Sequence, residues 1–176
     1  MEDKCGLTAL HIAVKGGHFD IAKYLISKGA DISAVCHTAA EKGHLDVITY
    51  FISQGAEVNT AREDGRTVLH SSVKNCQLDI TKYLIRIGAE VNKGDNNGQT
   101  VLHTAVQGGN FDITKYLMSK GAELSDEYYN GGLSPDESLV FYLIENGAKL
   151  DVKDEEGNLP IHYAKDELVR QMILSR

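Results

Sequence analysis

This sequence lacks the features that several classes of protein require. It has no run of about 18 apolar residues, the length that a membrane-spanning helix needs, and no apolar signal segment at its N-terminus. It also has no Asn-x-Ser/Thr glycosylation acceptor. We therefore expect an intracellular protein, cytoplasmic or nuclear, that does not insert into membranes.

Basic charge and cysteine are also scarce. The 25 acidic residues outnumber the 18 basic ones, and the formal net charge is −7. Phosphate backbones bind to positive surfaces, so we expect no nucleic-acid partner. The three cysteines, Cys5, Cys36 and Cys76, are an odd number scattered along the chain. This pattern favours reduced thiols over a disulfide framework.

What the sequence does contain is a phrase repeated five times. It reads KYLISKGADI from Lys23, TYFISQGAEV from Thr49, KYLIRIGAEV from Lys82, KYLMSKGAEL from Lys115 and FYLIENGAKL from Phe141. The glycines of successive copies are 26 or 33 residues apart. A period in this range indicates one supersecondary unit stacked on copies of itself. Such an array presents a long surface rather than a closed reaction pocket.

The copy at residues 94–124 shows what one unit contains. The DNNG sequence at 95–98 is typical of a tight turn. Thr100 is placed to cap a short first helix, which ends at the glycine pair 108–109. A second helix, with Asp112 in its first turn, then runs to Gly121. Neither helix can bury its apolar stripe alone, so neighbouring units must complete the core.

A second motif carries a family resemblance. The pattern Gly-x-Thr-x-Leu-His-x-Ala occurs in full or in part as GLTALHIA from Gly6, GRTVLH from Gly65, GQTVLHTA from Gly98 and GNLPIHYA from Gly157. Together with Gly-His and Gly-Ala-x-Val-Asn, it resembles the pattern of the ankyrin-repeat family. The resemblance covers essentially the whole chain. It implies an all-α fold, a solenoid of stacked helix-turn-helix units with projecting β-hairpin loops, called fingers below.

Six units are predicted within a single domain, residues 1–176. Their approximate bounds are 1–33, 34–59, 60–92, 93–124, 125–151 and 152–176. In the second unit Ser33 runs directly into a stretch that aligns with 100–106, so the residues that correspond to the finger at 93–99 are missing. The fifth has no recognisable first helix, because Ser134 already caps the second. Each short unit is either a notch that shapes a partner surface or a neutral deletion.

The seven histidines suggest a metal or catalytic site, but their positions argue against one. The same place in five units is occupied by His11, His37, His70, His103 and His162. A residue repeated once per unit serves the unit, most simply by hydrogen-bonding nearby backbone. No His-x-x-x-His or Cys-x-x-Cys pair and no Gly-rich phosphate loop occurs. We predict no enzyme activity, no metal and no cofactor. A similar column of tyrosines, at 24, 50, 83, 116 and 142, is predicted to serve packing and hydrogen bonding between helices.

By resemblance, the implied function is a scaffold that holds another protein or peptide in the groove between the fingers and the first helices. The candidate binding residues are Glu41, Lys42, Glu63, Asp64, Arg66, Lys74, Asn75, Asn96, Asn97, Gln99 and Gln107, and further positions of the same kind are Lys4, Cys5, Leu7, Lys15, Gly16 and Gly108. Their mixed charges and few aromatics suit a polar peptide or a folded protein. Charge reversal at Arg66 and Lys74 is predicted to weaken binding while lowering the melting temperature by no more than a few degrees.

Two asparagines are candidate modification sites. Asn59 and Asn92 both lie in Glu-Val-Asn contexts, and Leu84 precedes Asn92 by eight residues. By resemblance, 2-oxoglutarate-dependent asparaginyl hydroxylases accept this context in ankyrin repeats. The alternative is that each asparagine only caps the turn between units.

The two ends of the chain differ in polarity. The first unit begins at its turn without a polar cap, whereas residues 165–176 are short and charged, as a terminal repeat requires. We expect either further repeats before Met1, in a larger protein of which this chain is one module, or a partner on that end, self-association included. The alternative function is a structural or regulatory segment that packs in cis on a neighbouring domain.

The third unit departs from its neighbours between its two helices. Cys76 stands where the first and fourth units have Gly17 and Gly109. If the backbone there is left-handed, a side chain costs about 1–2 kcal/mol. The unit also has Ser72 where three others have alanine. We therefore expect the third unit to be a weak layer that opens before its neighbours.

Overall fold

The chain folds into short and long helices in alternation. The computed structural model describes residues 8–32 and 35–122. The short helices, of seven residues each, are α1 (Ala9–Lys15), α3 (Cys36–Lys42), α5 (Val68–Lys74) and α7 (Val101–Gln107). The long helices, of nine residues each, are α2 (Phe19–Ser27), α4 (Leu45–Ser53), α6 (Leu78–Arg86) and α8 (Phe111–Ser119). The predicted all-α class and the order of the two helices are thereby confirmed. The predicted fifth and sixth units lie outside the described residues, as do Lys4, Cys5 and Leu7.

The chain divides into two compact units, which end and begin at Val101 and Leu102. In the first, α3 packs between α1 and α5, each short helix packs on the long helix that follows it, and α2 packs on α4. The buried side chains of this unit include Leu10, Val14, Phe51, Leu69 and Leu84. In the second unit, the buried stripes are Leu102, Ala105 and Val106 on α7 and Ile113 and Leu117 on α8. The extent of a single domain over 1–176 stays a prediction.

The connections between helix pairs differ in length. The chain passes from α4 to α5 through residues 54–67 and from α6 to α7 through residues 87–100, but from α2 to α3 through residues 28–35 only. Residues 60–67 are the third finger and residues 93–100 are the fourth finger. No connection of this length precedes α3, so the second helix pair has no room for a finger.

Each of these fingers is held closed by a minimal hairpin rather than by paired strands. In the third, Ala61 and Thr67 form an isolated antiparallel bridge, and the Arg62 N–H donates to the Arg66 carbonyl at 2.9 Å. In the fourth, the Asp95 N–H donates to the Gln99 carbonyl at 2.9 Å. The arms are too short for a ladder, and the described residues contain no β-strand.

Cys76 has the left-handed backbone that its sequence position predicts. Its φ is 60°, and it is the one non-glycine residue with positive φ among those described. The equivalent glycines have similar values, 70° at Gly17 and 65° at Gly109. An L side chain is strained in this region, whereas glycine is not.

Cys76→Gly should therefore stabilise the protein, by up to about 1 kcal/mol after the greater freedom of glycine in the unfolded chain is subtracted. Urea denaturation under reducing conditions measures the change. The matched control is the reverse exchange, Gly109→Cys, which should destabilise, since a Cβ added at Gly109 meets nothing within 4 Å and only its φ is unfavourable. An unchanged or lowered midpoint for Cys76→Gly would show that Cys76 is not strained.

The second reason for a weak third unit has less support. Ser72 is fully buried, but its hydroxyl donates to the Leu69 carbonyl at 2.9 Å and lies 3.0 Å from the Thr81 hydroxyl. Thr81 in turn reaches the Gln77 carbonyl at 2.9 Å. Because the serine hydroxyl is hydrogen-bonded, burial does not leave it unsatisfied. The expected weakness of this layer now depends on Cys76 alone.

Candidate functional site

The recurrent histidine binds the N-terminal cap of two short helices, α1 and α5. The Thr67 N–H donates to Nδ1 of His70 at 3.2 Å, and the Thr8 N–H donates to Nδ1 of His11 at 3.3 Å. Since Nδ1 of His70 is an acceptor, Nε2 carries the proton and donates to the Gln99 carbonyl at 3.0 Å. The predicted structural role of the histidines, binding to nearby backbone, is confirmed at these two positions.

His37 is held differently, because its helix lacks the threonine cap. The N-cap of α3 is Val35, which has no hydroxyl. His37 Nδ1 instead lies 3.0 Å from Ser71 Oγ, one repeat further on. His37 as a whole is 2% exposed, and its Nε2 is buried without a hydrogen-bond partner in the part of the chain that the structure describes. This histidine is thus tied to the next short helix rather than to its own.

Burial controls the titration of these side chains. Desolvation, followed by the positive charge of Arg62, lowers the pKa of His37 to about 4. Burial likewise lowers the pKa of His70. Burial and the charge of Asp31 raise the pKa of Cys36 to about 11, which keeps its thiol protonated and unreactive. Within residues 8–32 and 35–122, no group of three His, Cys, Asp or Glu side chains could hold a metal ion.

A carboxylate organises the fourth finger and joins it to the third. Asp95 Oδ1 accepts hydrogen bonds from the N–H groups of Asn97 (2.9 Å) and Gln99 (3.1 Å). Arg66 of the third finger donates from Nε to Asp95 Oδ2 at 3.2 Å. Burial alone would raise the pKa of Asp95, but these N–H groups and Arg66 outweigh it and hold that pKa below its ordinary value.

Asn96 makes a second connection between the same two fingers. Its N–H donates to the Asp64 carbonyl at 3.0 Å, and its side-chain amide donates to the Glu63 carbonyl at 2.8 Å. At the other edge of the third finger, Arg62 forms an ion pair of 2.8 Å with Glu41, near the end of α3. The two fingers and the end of α3 therefore form one connected surface.

The candidate binding residues fall into two groups on the described chain. Those that are exposed are Lys42, Glu63, Asp64, Lys74, Asn75, Asn96, Asn97 and Gln107, whereas Glu41, Arg66 and Gln99 are half-buried. All except Gln107 lie in the first compact unit. Arg66 and Glu41 are engaged in ion pairs within the chain. Sequence reasoning missed Arg62 and Asp95, although the equivalent sequence position in three other repeats is aspartate (Asp3, Asp95 and Asp154).

Because Arg66 pairs with Asp95, we now expect its charge reversal to lower the stability of the protein more than the sequence alone predicted. A glutamate in its place would put a carboxylate against Asp95, whose side chain is 2% exposed. Lys74 differs, because it is exposed and its side chain makes no hydrogen bond or ion pair within the described residues. A test of binding should change Lys74 and leave Arg66 intact.

Comparison with known families agrees with the repeated motifs and the helix pairs. A model described as ankyrin repeats, in three copies, matches residues 36–128, and a model of the single ankyrin repeat matches residues 5–36. The chain belongs to the ankyrin-repeat family. Ankyrin repeats generally act as protein–protein interaction modules. A comparison with curated proteins gives no match.

Asn59 joins two neighbouring ankyrin repeats. Its side-chain amide donates to the Gly88 carbonyl at 3.2 Å, and its Oδ1 accepts from the Glu90 N–H at 2.9 Å. Asn59 thus has the capping role that was the alternative to modification. The backbone groups that it caps belong to the turn of the next repeat. An enzyme that hydroxylates Asn59 would have to release these bonds first.

Hydroxylation of Asn59 and Asn92 stays a prediction, and protein isolated from its native cell tests it. Peptide mass spectrometry should find the mass of one added oxygen atom on the peptide that contains Asn92. Fragmentation must place that oxygen on Asn92 rather than on another residue of the same peptide. Recombinant protein made without the hydroxylase is the control. An unmodified Asn92 peptide from the native source would remove the hypothesis.

Of the tyrosines on the long helices, Tyr24 lies at the protein surface, whereas Tyr50, Tyr83 and Tyr116 are half-buried. Tyr24 is 62% exposed, and Lys28 Nζ lies 5.5 Å from its ring centroid. The same arrangement recurs with Arg86 over Tyr83 at 5.5 Å and with Lys120 over Tyr116 at 5.6 Å. A cation covers the face of each ring, which explains how these aromatics tolerate exposure.

One face of the first ankyrin repeat carries uncovered apolar side chains. Ile12 and Ile21 are 56% and 53% exposed. The equivalent positions in the third repeat, Ser71 and Ile80, are 6% and 2% exposed. Phe19, the first residue of α2, packs edge-on against Tyr50 of the second repeat, with 5.9 Å between the ring centroids. The exposed face of α1 and α2 is thus as apolar as a face that a neighbouring repeat covers.

None of the described helices combines the length and the apolar character needed to cross a bilayer.

Proposed function

We propose that this chain is a non-enzymatic module that binds another protein or peptide on the surface made by the third and fourth fingers and the C-terminal ends of α3 and α5. The observation that supports it is the connection between the two fingers. Asp95 and Asn96 fix their positions, while Glu63, Asp64 and Asn97 remain exposed. A surface that is ordered before binding loses less conformational entropy on association.

The chemistry of this surface favours a partner with polar groups. Lys42 and Lys74 supply positive charge, Glu63 and Asp64 negative charge, and no exposed aromatic side chain interrupts the candidate set. Such a surface gains specificity from complementary charges and hydrogen bonds rather than from a large apolar anchor. We place the interaction in a reducing, intracellular compartment, which suits the thiols of Cys36 and Cys76.

Affinity capture from the native cell with two matched double variants tests this function. Lys42→Glu with Lys74→Glu changes the proposed surface. Lys28→Glu with Lys115→Glu makes the same change of charge outside it, directly after α2 and within α8. Quantitative mass spectrometry should find proteins that the wild type and the second variant retain and that the first variant loses. If the wild type retains nothing above background, or both variants retain the same proteins, the proposed surface is wrong and packing in cis becomes the better account.

We also propose that the uncovered face of α1 and α2 associates with a second copy of the chain. The wild type should show sedimentation coefficients that rise with concentration, because association would bury Ile12, Ile21 and Tyr24. Ile12→Ser combined with Ile21→Lys should sediment as a monomer over the same range while keeping the helical circular dichroism of the wild type. A wild type that remains monomeric at every concentration would contradict the idea.

A further inference from the structure

The third finger lacks the neighbour that the fourth finger has. Arg62 and Glu63 of the third finger correspond in position to Asp95 and Asn96 of the fourth. In the fourth finger both residues bind the preceding finger, Asp95 through Arg66 and Asn96 through the Asp64 carbonyl. The second repeat has no finger, so within residues 8–32 and 35–122 no preceding finger binds Arg62 and Glu63 in this way.

The unoccupied side of the third finger offers a backbone donor. The Asn96 N–H donates to a carbonyl of the preceding finger at 3.0 Å, whereas the corresponding Glu63 N–H makes no hydrogen bond within the described residues. Burial shows the same difference, since the side chain of Arg62 is 42% exposed and that of Asp95 is 2% exposed. An extended segment could add to this edge as the fourth finger adds to the third.

The same edge offers one cation. Where the fourth finger presents a carboxylate to the cation of its neighbour, the third presents the Arg62 guanidinium. Its Nη2 lies 2.8 Å from Glu41, and the other N–H groups of the planar fork can bind a second carboxylate. Glu41 already pairs with Arg62, and Glu63 and Asp64 follow Arg62 in the sequence. A run of acidic residues would therefore be repelled, and a single carboxylate fits best.

We propose that the place of the missing finger is a docking site for an extended segment of a partner protein. A backbone carbonyl of this segment accepts from the Glu63 N–H, and one aspartate or glutamate of the segment pairs with Arg62. This inference rests on the proposed function and specifies where on the surface the partner enters. It also gives the short second repeat a role. Of the two alternatives, a notch that shapes a partner surface or a neutral deletion, the proposal selects the notch.

Two cyclised peptides that copy the third finger probe the site. The peptide TAREDGRT repeats residues 60–67, and TAREDGET has glutamate at the position of Arg66, the side chain that reaches the next finger. In NMR titrations of the labelled protein, the glutamate peptide should shift the amide signals of Arg62 and Glu63. The arginine peptide should bind several-fold more weakly.

A charge exchange on the protein supplies the control. Arg62→Asp introduces the residue that the fourth finger has at this position, Asp95, and should reverse the preference between the two peptides. Insertion of KGDNNGQ between Ser33 and Ala34 supplies a finger in cis and should abolish binding of both. Silent Arg62 and Glu63 amides, or shifts that are equal for both peptides in the wild type and in Arg62→Asp, would overturn the proposal. Partner capture that still depends on Lys42 and Lys74 would in that case leave the proposed function standing.

Discussion

Arg66→Glu is expected to destabilise the first compact unit by about 2 kcal/mol. The exchange removes the donor that reaches Asp95 at 3.2 Å and puts a carboxylate beside one that is buried. Asp64, whose Oδ2 lies 3.9 Å from the guanidinium, would add to the repulsion. Breaking a fully buried ion pair costs about 3–5 kcal/mol, and partial solvation of Arg66 reduces that figure.

Urea denaturation of three variants isolates the contact. Lys74→Glu makes the same change of charge at an exposed position and should remain within about 0.5 kcal/mol of the wild type. Arg66→Ala removes the donor without adding a carboxylate and should lie between the two. If Arg66→Glu unfolds at the wild-type midpoint, the link between the two fingers contributes nothing to stability and the surface is not ordered in advance.

Acid should destabilise the protein well above the pH at which carboxylates protonate. The pKa of His37 is lowered to about 4 by burial and by Arg62, against about 6.5 for an unfolded histidine. The unfolded chain therefore binds a proton more readily than the folded one between these values. The contribution is fully present above pH 6.5 and is lost as the pH falls to about 4, which can reduce the free energy of unfolding by up to about 3 kcal/mol.

Other groups act in the same direction or oppose it. The charges of Glu41 and Asp64 raise the pKa of His37 and limit the effect, whereas that of His70 lowers it further. His70, whose own pKa is lowered by burial, adds to the loss. Asp95 contributes at lower pH, because its pKa lies below the ordinary value and its stabilisation disappears only when it protonates.

Chemical denaturation at several pH values between 7 and 4 measures this slope. His37→Gln removes the titrating ring and should flatten the slope between pH 6.5 and 4, even if it lowers the stability at pH 7. Ser53→Ala, which changes no titratable group, is the control and should keep the wild-type slope. An equal slope in His37→Gln and the wild type would show that His37 does not bind the proton that unfolds the protein.

Local features of this fold could be predicted from the sequence because the repeats can be aligned with one another. A conformation or role that recurs at one position of several repeats is then expected at the same position of the others. The left-handed backbone at Cys76 follows from the glycines at the same place in other repeats. The structural role of His11 and His70 follows from their recurrence beside a threonine. Such inferences need only the alignment of the chain with itself.

Contacts between repeats could not be predicted in the same way. Whether Arg66 faces solvent or Asp95 depends on how the two fingers lie side by side, and sequence position alone made Arg66 a binding residue. The surface position of Tyr24 was missed for a similar reason, since the cation that covers its ring lies one helical turn away. Arg62 did leave a signal, because it is basic where the sequences of three other repeats have aspartate. Its ion pair with Glu41 could not be read from that signal.

The Asn59 bridge sets a rule for how such an array can change in length. Its two bonds end on Gly88 and Glu90, in a Gly-Ala-Glu sequence that recurs 33 residues later at 121–123. Excision of residues 60–92 would join Asn59 to a segment that ends in the same three residues. The junction between repeats therefore repeats the groups that Asn59 binds. A gene could gain or lose a whole period of 33 residues here, and the asparagine would still meet an equivalent carbonyl acceptor and N–H donor.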